Sequence, residues 1–588
     1  MTAAMTFVDW LILGGYCIGI LLFGTIFAKR ASKNMQSFFL AGRSLPWWVI
    51  GFSAVGAYTC SGAAPGFTSL VYTGGLIGNW TWWLNYAIWM PIVAVIWAKL
   101  WRRMGIVTTA EFIALRYGSK PARIFRPSYA IYMAFGFSVM LNAYIIGWLR
   151  DGICPIFGWS PLVVIGFASG LVLAYVIISG LFGAAYADVI QMGIFLVGNT
   201  ILIFTAMSAA GGIGGMWTKI GAQMDHNTFA AYTSPVIPSG NFGILAVVSF
   251  AILGLFYAIS PSGGEGYTAQ LFMAAKSEFH AQTGQLFNAI MTLIVRMIPF
   301  LFLGLLARAL LPGLKDPDMA WGMLVSKYSF MGLTGLLVAA ELAAFMSTMD
   351  TQTNWGASYI VNDLCRPYMR NQPDRTFVRL GRLSTALIMV IAIFIALQVQ
   401  DMIKFFCFVN GVAIAFMLPV AWLRFFWWRF NIYGELIALF VGLPLSSIIW
   451  WVKYKDVSLD AMPQGIFLLF SLGWVVILTT TLLTKPEPME KLIEFYKRCR
   501  PPGFWGPVIK AAGLDIGRQR SDTIRDVVDC VLGAAACISS VVVMTSLFGG
   551  YYTVTAISGI IFLASTTLFA LRWARRTKIA EPAKKDAS

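Results

Sequence analysis

Between Glu341 and Asp363 the sequence reads ELAAFMSTMDTQTNWGASYIVND, which crowds Ser347, Thr348, Asp350, Thr351, Thr353 and Asn354 into a long apolar run. An Asp at the centre of a membrane helix costs roughly 2.5–3.5 kcal/mol on insertion scales, so such a cluster needs partners that recover the cost. At about 3.6 residues per turn, Ala344, Ser347, Thr348 and Thr351 share one stripe, at i, i+3, i+4 and i+7. A carbonyl near Ala344 and the hydroxyls beside it then offer several neutral oxygens to one point. Hard cations take oxygen ligands, and a monovalent one is satisfied by few charges. From these residues alone a structural role stands equally open, with the hydroxyls bonded back to their own helix and packed against a neighbour.

Other polar residues stand at comparable depth. The second apolar segment, VIGFSAVGAYTCSGAAPGFTSLVYTGG, sets Gly56, Gly62, Pro65 and Gly66 around Thr59, Cys60 and Ser61. Gly and Pro weaken a helix, and unwound backbone at membrane depth is tolerated only where it lines a cavity or binds something. A break here frees the carbonyls of about Ala57 to Cys60; a Gly-rich packing face is the plainer alternative. Five segments later, AISPSGGEGYTAQLFMAAKSE repeats the interruption at Pro261, Gly263, Gly264 and Gly266, followed by Tyr267 and Gln270. Two breaks at matching positions in consecutive five-helix blocks point to an inverted-repeat transporter. Asp188, in AAYADVIQ, is either interfacial or a carboxylate facing the bundle and neutralising a cation. Asn79, Trp80, Trp82 and Trp83 open the third segment as an interfacial aromatic belt or as a substrate-facing wall. Arg296, in IVRMIPF, is expected to pair internally, with Glu341 or Glu265 as the available acids, and direct substrate contact is the other reading.

These residues require a membrane bundle to position them. The chain has 588 residues, of which 58% are hydrophobic and 12% charged, and its mean hydropathy is +0.74. A spanning helix needs about 20 mostly apolar residues, and fifteen segments qualify, from 7–28 to 552–572. The net charge of +17 does not indicate nucleic acid, because Lys and Arg concentrate in short loops on alternate sides of the segments. They include Lys29 and Arg30, Arg102, Arg103 and Arg116, Arg366 and Arg375, Arg424 and Arg429, the loop 485–526, and Arg572 to Lys578. The positive-inside rule then places the N-terminus outside and the C-terminus in the cytoplasm. The opening MTAAMTFVDW lacks the basic region of a cleaved signal peptide. TTAEFIALRYG (108–118) reads as a surface helix with Thr108 and Glu111 spaced as a capping box. The eight cysteines form no CxxC pair, and His226 and His280 fall in predicted loops, which disfavours zinc and histidine-based catalysis.

FFLAGRSLPWW (38–48), TTAEFIALRYG, YADVIQ (186–191), GYTAQLFMAAKSE (266–278) and AAFMSTMDTQTN (343–354) together resemble the sodium/solute symporter family. That family includes bacterial proline, sialic acid and sugar symporters and animal glucose cotransporters, and this chain looks like a long-tailed bacterial branch. The resemblance implies an all-α polytopic membrane protein with a LeuT-like core of two inverted five-helix repeats, plus one N-terminal and four C-terminal helices. The expected division is 1–35 as the additional first span, 46–209 and 242–427 as the repeats, 434–484 as two further spans, 485–526 as a cytoplasmic linker, and 527–588 as two appended spans with a basic tail. The resemblance also implies Na+ as coupling ion, held by carbonyls of Ala57, Cys60 and Ala344 and hydroxyls of Ser347 and Thr348, with Gly56 and Thr59 as one-residue alternatives. A second sodium site found in some members matches Asp188, Ser347, Asp350 and Thr351, although those members carry a hydroxyl where this chain has Asp350. Tyr267, Thr59 and Ser61 match positions facing substrate, and Gln270 and Trp83 join them in the expected cavity.

The function so implied is sodium-coupled import of a small polar organic solute (sugar, amino acid or organic acid) through the plasma (inner) membrane by alternating access. No enzymatic step, organic cofactor or nucleic acid is called for, and the protein is expected to work as a monomer or weak oligomer. The rival readings are a proton-coupled carrier using Asp188 and Asp350, and a membrane sensor of such a solute.

Overall fold

The computed structural model describes residues 5–235, 244–260, 264–369, 371–454 and 462–580, which are almost entirely helical. Backbone N–H and C=O groups find no water at membrane depth, so helices, which satisfy them internally, are what apolar segments become. The elements that bear on the site are α1 (Phe7–Ala31), α2 (Trp47–Ala57), α3 (Ala63–Met104), α4 (Lys120–Phe157), α5 (Pro161–Ala210), α6 (Ile244–Tyr257), α7 (Tyr267–Met273), α8 (Glu278–Leu310) and α9 (Leu333–Tyr359). After them come α10 (Asp374–Gln398), α11 (Met402–Phe426), α12 (Ile432–Lys453), α13 (Met462–Leu483), α14 (Ile516–Phe548) and α15 (Tyr552–Ala580).

Ten helices among the described residues are long and apolar enough to cross a membrane. Two of these bend sharply at one glycine: Gly75 in α3, with φ 61° and ψ −148°, and Gly180 in α5, with φ 52° and ψ −163°. No side chain adopts that backbone comfortably, and a Cβ at Gly75 would lie 2.2 Å from the Tyr232 carbonyl oxygen. With α3 and α5 each divided there, helix is found within each of the fifteen expected segments, of which 242–262 is described only in part. Both expected interruptions are present. Helix stops at Ala57 and resumes at Ala63, then stops at Tyr257 and resumes at Tyr267. Pro261 and Gly263 lie outside the described residues.

α9 runs through the middle of the bundle, and all of its residues except Leu336 are buried. It packs on α5, α1, α4, α10 and α2. Both of its ends are tied. At the start, Asp9 Oδ1 of α1 accepts the backbone N–H groups of Gly332 (2.9 Å) and Gly335 (2.7 Å), a cap for donors that a helix cannot satisfy itself. Beyond the far end, Asp363 takes Arg126 at 2.6 Å and the Thr108 hydroxyl at 2.6 Å. Thr108 also accepts the Glu111 N–H at 3.4 Å, while the Glu111 carboxylate bonds the N–H of Val107 rather than that of Thr108.

Several loop expectations are corrected. His226 and His280 both belong to helices, and His280 Nδ1 accepts the Trp47 N–H at 3.2 Å. Arg116 and Arg424 are fully buried rather than exposed loop cations. Arg116 donates to the carbonyls of Arg424, Trp427, Trp428 and Phe430 and lies 5.0 Å from the Trp505 ring centroid. The segment 485–526 is a docked element, with helix Met489–Cys499 burying Leu492, Phe495, Tyr496 and Cys499. The last two helices are fixed to α3 and to each other by Lys99–Asp526 (2.5 Å), Arg576–Asp526 (2.9 Å), Arg576–Asp529 (2.7 Å) and Arg572–Asp529.

Replacing Asp9 by Ala removes the cap at the start of α9, and such caps contribute about 0.5–2 kcal/mol. The purified Asp9→Ala protein is expected to melt several degrees below wild type, with Asp9→Asn in between. Identical melting of all three would show that the cap does not hold this end of α9.

Candidate functional site

The first break brings α2 against α9. The last turn of α2 closes with Tyr58 N–H on the Ala54 and Val55 carbonyls and Thr59 N–H on Gly56 at 2.8 Å. The chain turns again where the Ala63 N–H meets the Cys60 carbonyl at 2.8 Å. Between them, no backbone N–H among the described residues donates to the Ala57 carbonyl. From α9 the Thr348 hydroxyl reaches both the Gly56 carbonyl (3.2 Å) and the Ala344 carbonyl (3.2 Å). The Ser347 hydroxyl, next to it, donates to Asp188 Oδ1 of α5 at 2.5 Å. Gly56 makes this approach possible, because a Cβ there would stand 2.2 Å from Ser347 Oγ and 3.6 Å from Asp188 Cβ. The structure therefore gathers carbonyl and hydroxyl oxygens from Gly56, Ala344, Ser347 and Thr348 around one broken helix end, with the Ala57 carbonyl next in the chain. The contact to α2 is made at Gly56, one of the two alternative positions, while the Cys60 carbonyl is used in the turn.

Ser347 links this cluster to a second one. Thr351 donates to Asp350 Oδ1 at 3.1 Å. Asp188 Oδ2 and Asp350 Oδ2 are buried without hydrogen-bond partners, and the two carboxyls lie within electrostatic reach of each other. Tyr16 of α1 and Tyr175 of α5 stand close to both acids. Tyr16 is held by Gln191 at 3.3 Å and points its hydroxyl at the Met346 sulfur at 3.4 Å. Sequence reasoning missed Tyr16, Tyr175 and Gln191, since a lone tyrosine in an apolar helix carries no periodic signal.

On the other side of the break is Arg296, at the end of a π-helical turn (Met291–Arg296) within α8. Such turns recur at functional positions. The ion pair expected between Arg296 and Glu341 is not formed. Arg296 Nη1 donates instead to the Tyr58 carbonyl (2.8 Å) and to Thr59 Oγ1 (2.8 Å), and neither oxygen of the buried Glu341 has a partner. Glu265, the other expected acid, is taken by Arg424 of α11 and by the Tyr129 hydroxyl at 2.5 Å. Arg296 also heads a buried polar stripe along α8: Gln285 accepts from Asn288 at 3.1 Å, and Asn288 accepts from Thr292 at 3.0 Å. The spacing 285, 288, 292, 296 is helical and could have been read from the sequence.

The remaining residues expected to line a cavity divide. Trp83 is fully buried, its ring 4.7 Å from Phe67 and its indole bonded to Asn79 at 3.0 Å, so it belongs to an interior wall rather than to an interfacial belt. Tyr267 lies 5.5 Å from the Tyr58 ring and 6.3 Å from Trp355. Thr59 contacts Arg296, as above. Ser61 instead donates to the Ile145 carbonyl at 2.8 Å, fixing the unwound stretch to α4. Gln270 donates to the Phe39 carbonyl (2.9 Å) and to Asn354 (3.0 Å), which ties α7 to α9.

The sequence profile of the sodium:solute symporter family matches residues 38–442. The chain is 27% identical to a sodium/glucose cotransporter of Vibrio parahaemolyticus, over 82% of this chain and 91% of that protein. It is 26% identical to a sodium/pantothenate symporter of Haemophilus influenzae, over 71% and 85%. In three dimensions it resembles a Na+-coupled sialic acid symporter solved in a substrate-bound outward-open state. The TM-score is 0.67 at 20% identity, over 82% of this chain and 99% of that one. The fold is accordingly LeuT-like and all-α.

A methyl group at position 56 would push Ser347 away from α2. Gly56→Ala is expected to raise the sodium concentration needed to protect the purified protein against heat by about tenfold or more, equivalent to about 1.4 kcal/mol. An unchanged sodium midpoint would mean that the α2–α9 contact does not bear on the ion.

Proposed function

This chain belongs to the sodium:solute symporter family, and from that membership we propose that it imports a small polar organic solute coupled to sodium, by alternating access. The observation that carries the proposal is the helix interrupted after Ala57 with the Thr348 hydroxyl on its Gly56 carbonyl. Oxygens at such a break suit a monovalent cation, and half-helix ends with unwound carbonyls are where transporters hold coupling ions. We assign the main sodium to the carbonyls of Ala57, Cys60 and Ala344 and the hydroxyls of Ser347 and Thr348. A second sodium is assigned to Asp188, Ser347, Asp350 and Thr351. Residues 46–209 and 242–427 are taken as the inverted repeats, in a plasma membrane with the N-terminus outside.

Coupling follows from shared groups. An ion between α2 and α9 fixes the broken helix and so orders Tyr58 and Thr59, which carry the contact to Arg296. Each ligand then favours the state that binds the other. One sodium crossing about 100 mV gains about 2.3 kcal/mol, a tenfold gradient adds about 1.4 kcal/mol, and together they sustain accumulation on the order of 500-fold. No bond is made or broken in the solute.

Two buried carboxyls with open oxygens also favour a second reading, in which protons drive the carrier through Asp188 and Asp350. Uptake of labelled sugars, amino acids and organic acids into proteoliposomes separates the two. Under the sodium reading, at least one solute accumulates with an inward sodium gradient and stops accumulating when choline replaces sodium at fixed pH. Ser347→Ala and Thr348→Ala should each weaken the sodium dependence about tenfold or more, the worth of one charge-assisted ligand. Accumulation that continues in choline and follows an imposed pH gradient would overturn sodium coupling.

A further inference from the structure

Arg296 is the described buried cation next to the first break, and it lacks a counter-ion. Its burial is nearly complete, at 1% exposure. The titratable groups it feels most are Tyr86, Cys60, Tyr267 and Tyr58, all neutral in ordinary circumstances. The other described buried arginines have partners of their own, Arg424 in Glu265 and Arg116 in four backbone carbonyls. Only Nη1 of Arg296 is used, on the Tyr58 carbonyl and Thr59 hydroxyl. Nε and Nη2 have no hydrogen-bond partner.

Those two nitrogens form one edge of the guanidinium, with parallel N–H groups that match the two oxygens of a carboxylate. On one side the same group meets a stacked pair of aromatic rings, Trp83 at 5.3 Å and Phe67 at 5.9 Å from its carbon. These rings brace the cation, and cation–π contact attracts it without neutralising it. A buried charge so placed is costly until an anion arrives.

We propose that the transported solute carries a carboxylate, received by the Nε–Nη2 edge of Arg296, with its body against the wall formed by Trp83, Tyr86 and Phe67. The proposal rests on the symport reading and narrows its substrate class. A single cation calls for a single negative charge, so monocarboxylates fit better than phosphate esters or dicarboxylates. Neutral sugars would leave the edge unpaired. Arg296 also makes the coupling local. It holds Tyr58 and Thr59, which lie between the Ala57 and Cys60 carbonyls assigned to sodium, so an anion that draws on Arg296 is felt at the ion.

The test uses the purified full-length protein and matched pairs of probes: lactate and lactamide, 3-hydroxybutyrate and its amide, benzoate and benzamide, with mannitol as a neutral polyol. Tryptophan fluorescence is titrated in sodium and in choline. At least one carboxylate is expected to give a saturable, sodium-dependent change about tenfold or more tighter than its amide, since a charge-assisted pair is lost. Arg296→Lys should weaken that carboxylate about tenfold, keeping the charge but not the fork, and Arg296→Gln should abolish the preference for acid over amide. Cooperative melting of both variants in sodium-free buffer reports that they are folded. The inference is overturned if no carboxylate binds, if acid and amide bind equally, or if Arg296→Gln keeps the preference. In each case sodium stabilisation and sodium-driven uptake of some other solute would leave the symport reading intact, whereas their loss in wild type would remove that reading itself.

Discussion

A helix that stops in the middle of a membrane leaves carbonyl groups with neither water nor a next turn to satisfy them. Here that condition arises at Ala57, and α9 answers it. Thr348 bridges the Gly56 and Ala344 carbonyls, and Ser347 beside it connects the same place to Asp188. Much of the remaining architecture holds these groups in register. Asp9 fixes one end of α9, Asp363 with Arg126 and Thr108 fixes the other, and Ser61 anchors the unwound stretch to α4. Unsatisfied backbone is tolerated at this depth only under such constraint.

The buried charges sort by the same logic. Those that are paired belong to the scaffold. Arg424 joins α11 to Glu265 in the second break and approaches Glu435 of α12 at 3.7 Å, while the Tyr117 hydroxyl bonds Glu435 at 2.7 Å. Asp526 and Asp529 fasten the last two helices. Four buried charged residues near the first break, Asp188, Asp350, Arg296 and Glu341, stand outside any ion pair among the described residues and keep atoms without hydrogen-bond partners. Ionisable groups left unpaired inside a membrane protein mark ion and substrate pathways. Their contacts also differ, Asp188 meeting Ser347 of α9 while Arg296 meets Tyr58 and Thr59 of the unwound stretch.

Much of this could be read from the sequence because its signals are local. The Gly/Pro clusters announced both breaks, and the hydroxyl stripe of α9 followed from helical periodicity. Gly56 could be named but not ranked against Ala57, since a one-residue shift around a kink changes no pattern in composition. Pairing was the least legible part. Arg296 and Glu341 looked like natural partners in one dimension, yet whether two long side chains meet depends on helix rotation, and the π-helical turn before Arg296 redirects it. Arg116 and Arg424 look like loop charges in the sequence because nothing in a short basic stretch shows that neighbouring carbonyls and acids fold over it. Asp9 and Tyr16, isolated in an apolar first helix, had no pattern to reveal their contacts with α9.

The most direct test is equilibrium binding of radioactive sodium to the purified protein, wild type beside a double Ser347→Ala, Thr348→Ala variant shown to be folded by its melting curve. Saturable binding to wild type, displaced by unlabelled sodium but not by choline and lost in the variant, is the expected result. Equal binding to both proteins, or none to wild type, would contradict an ion held between the broken α2 and α9.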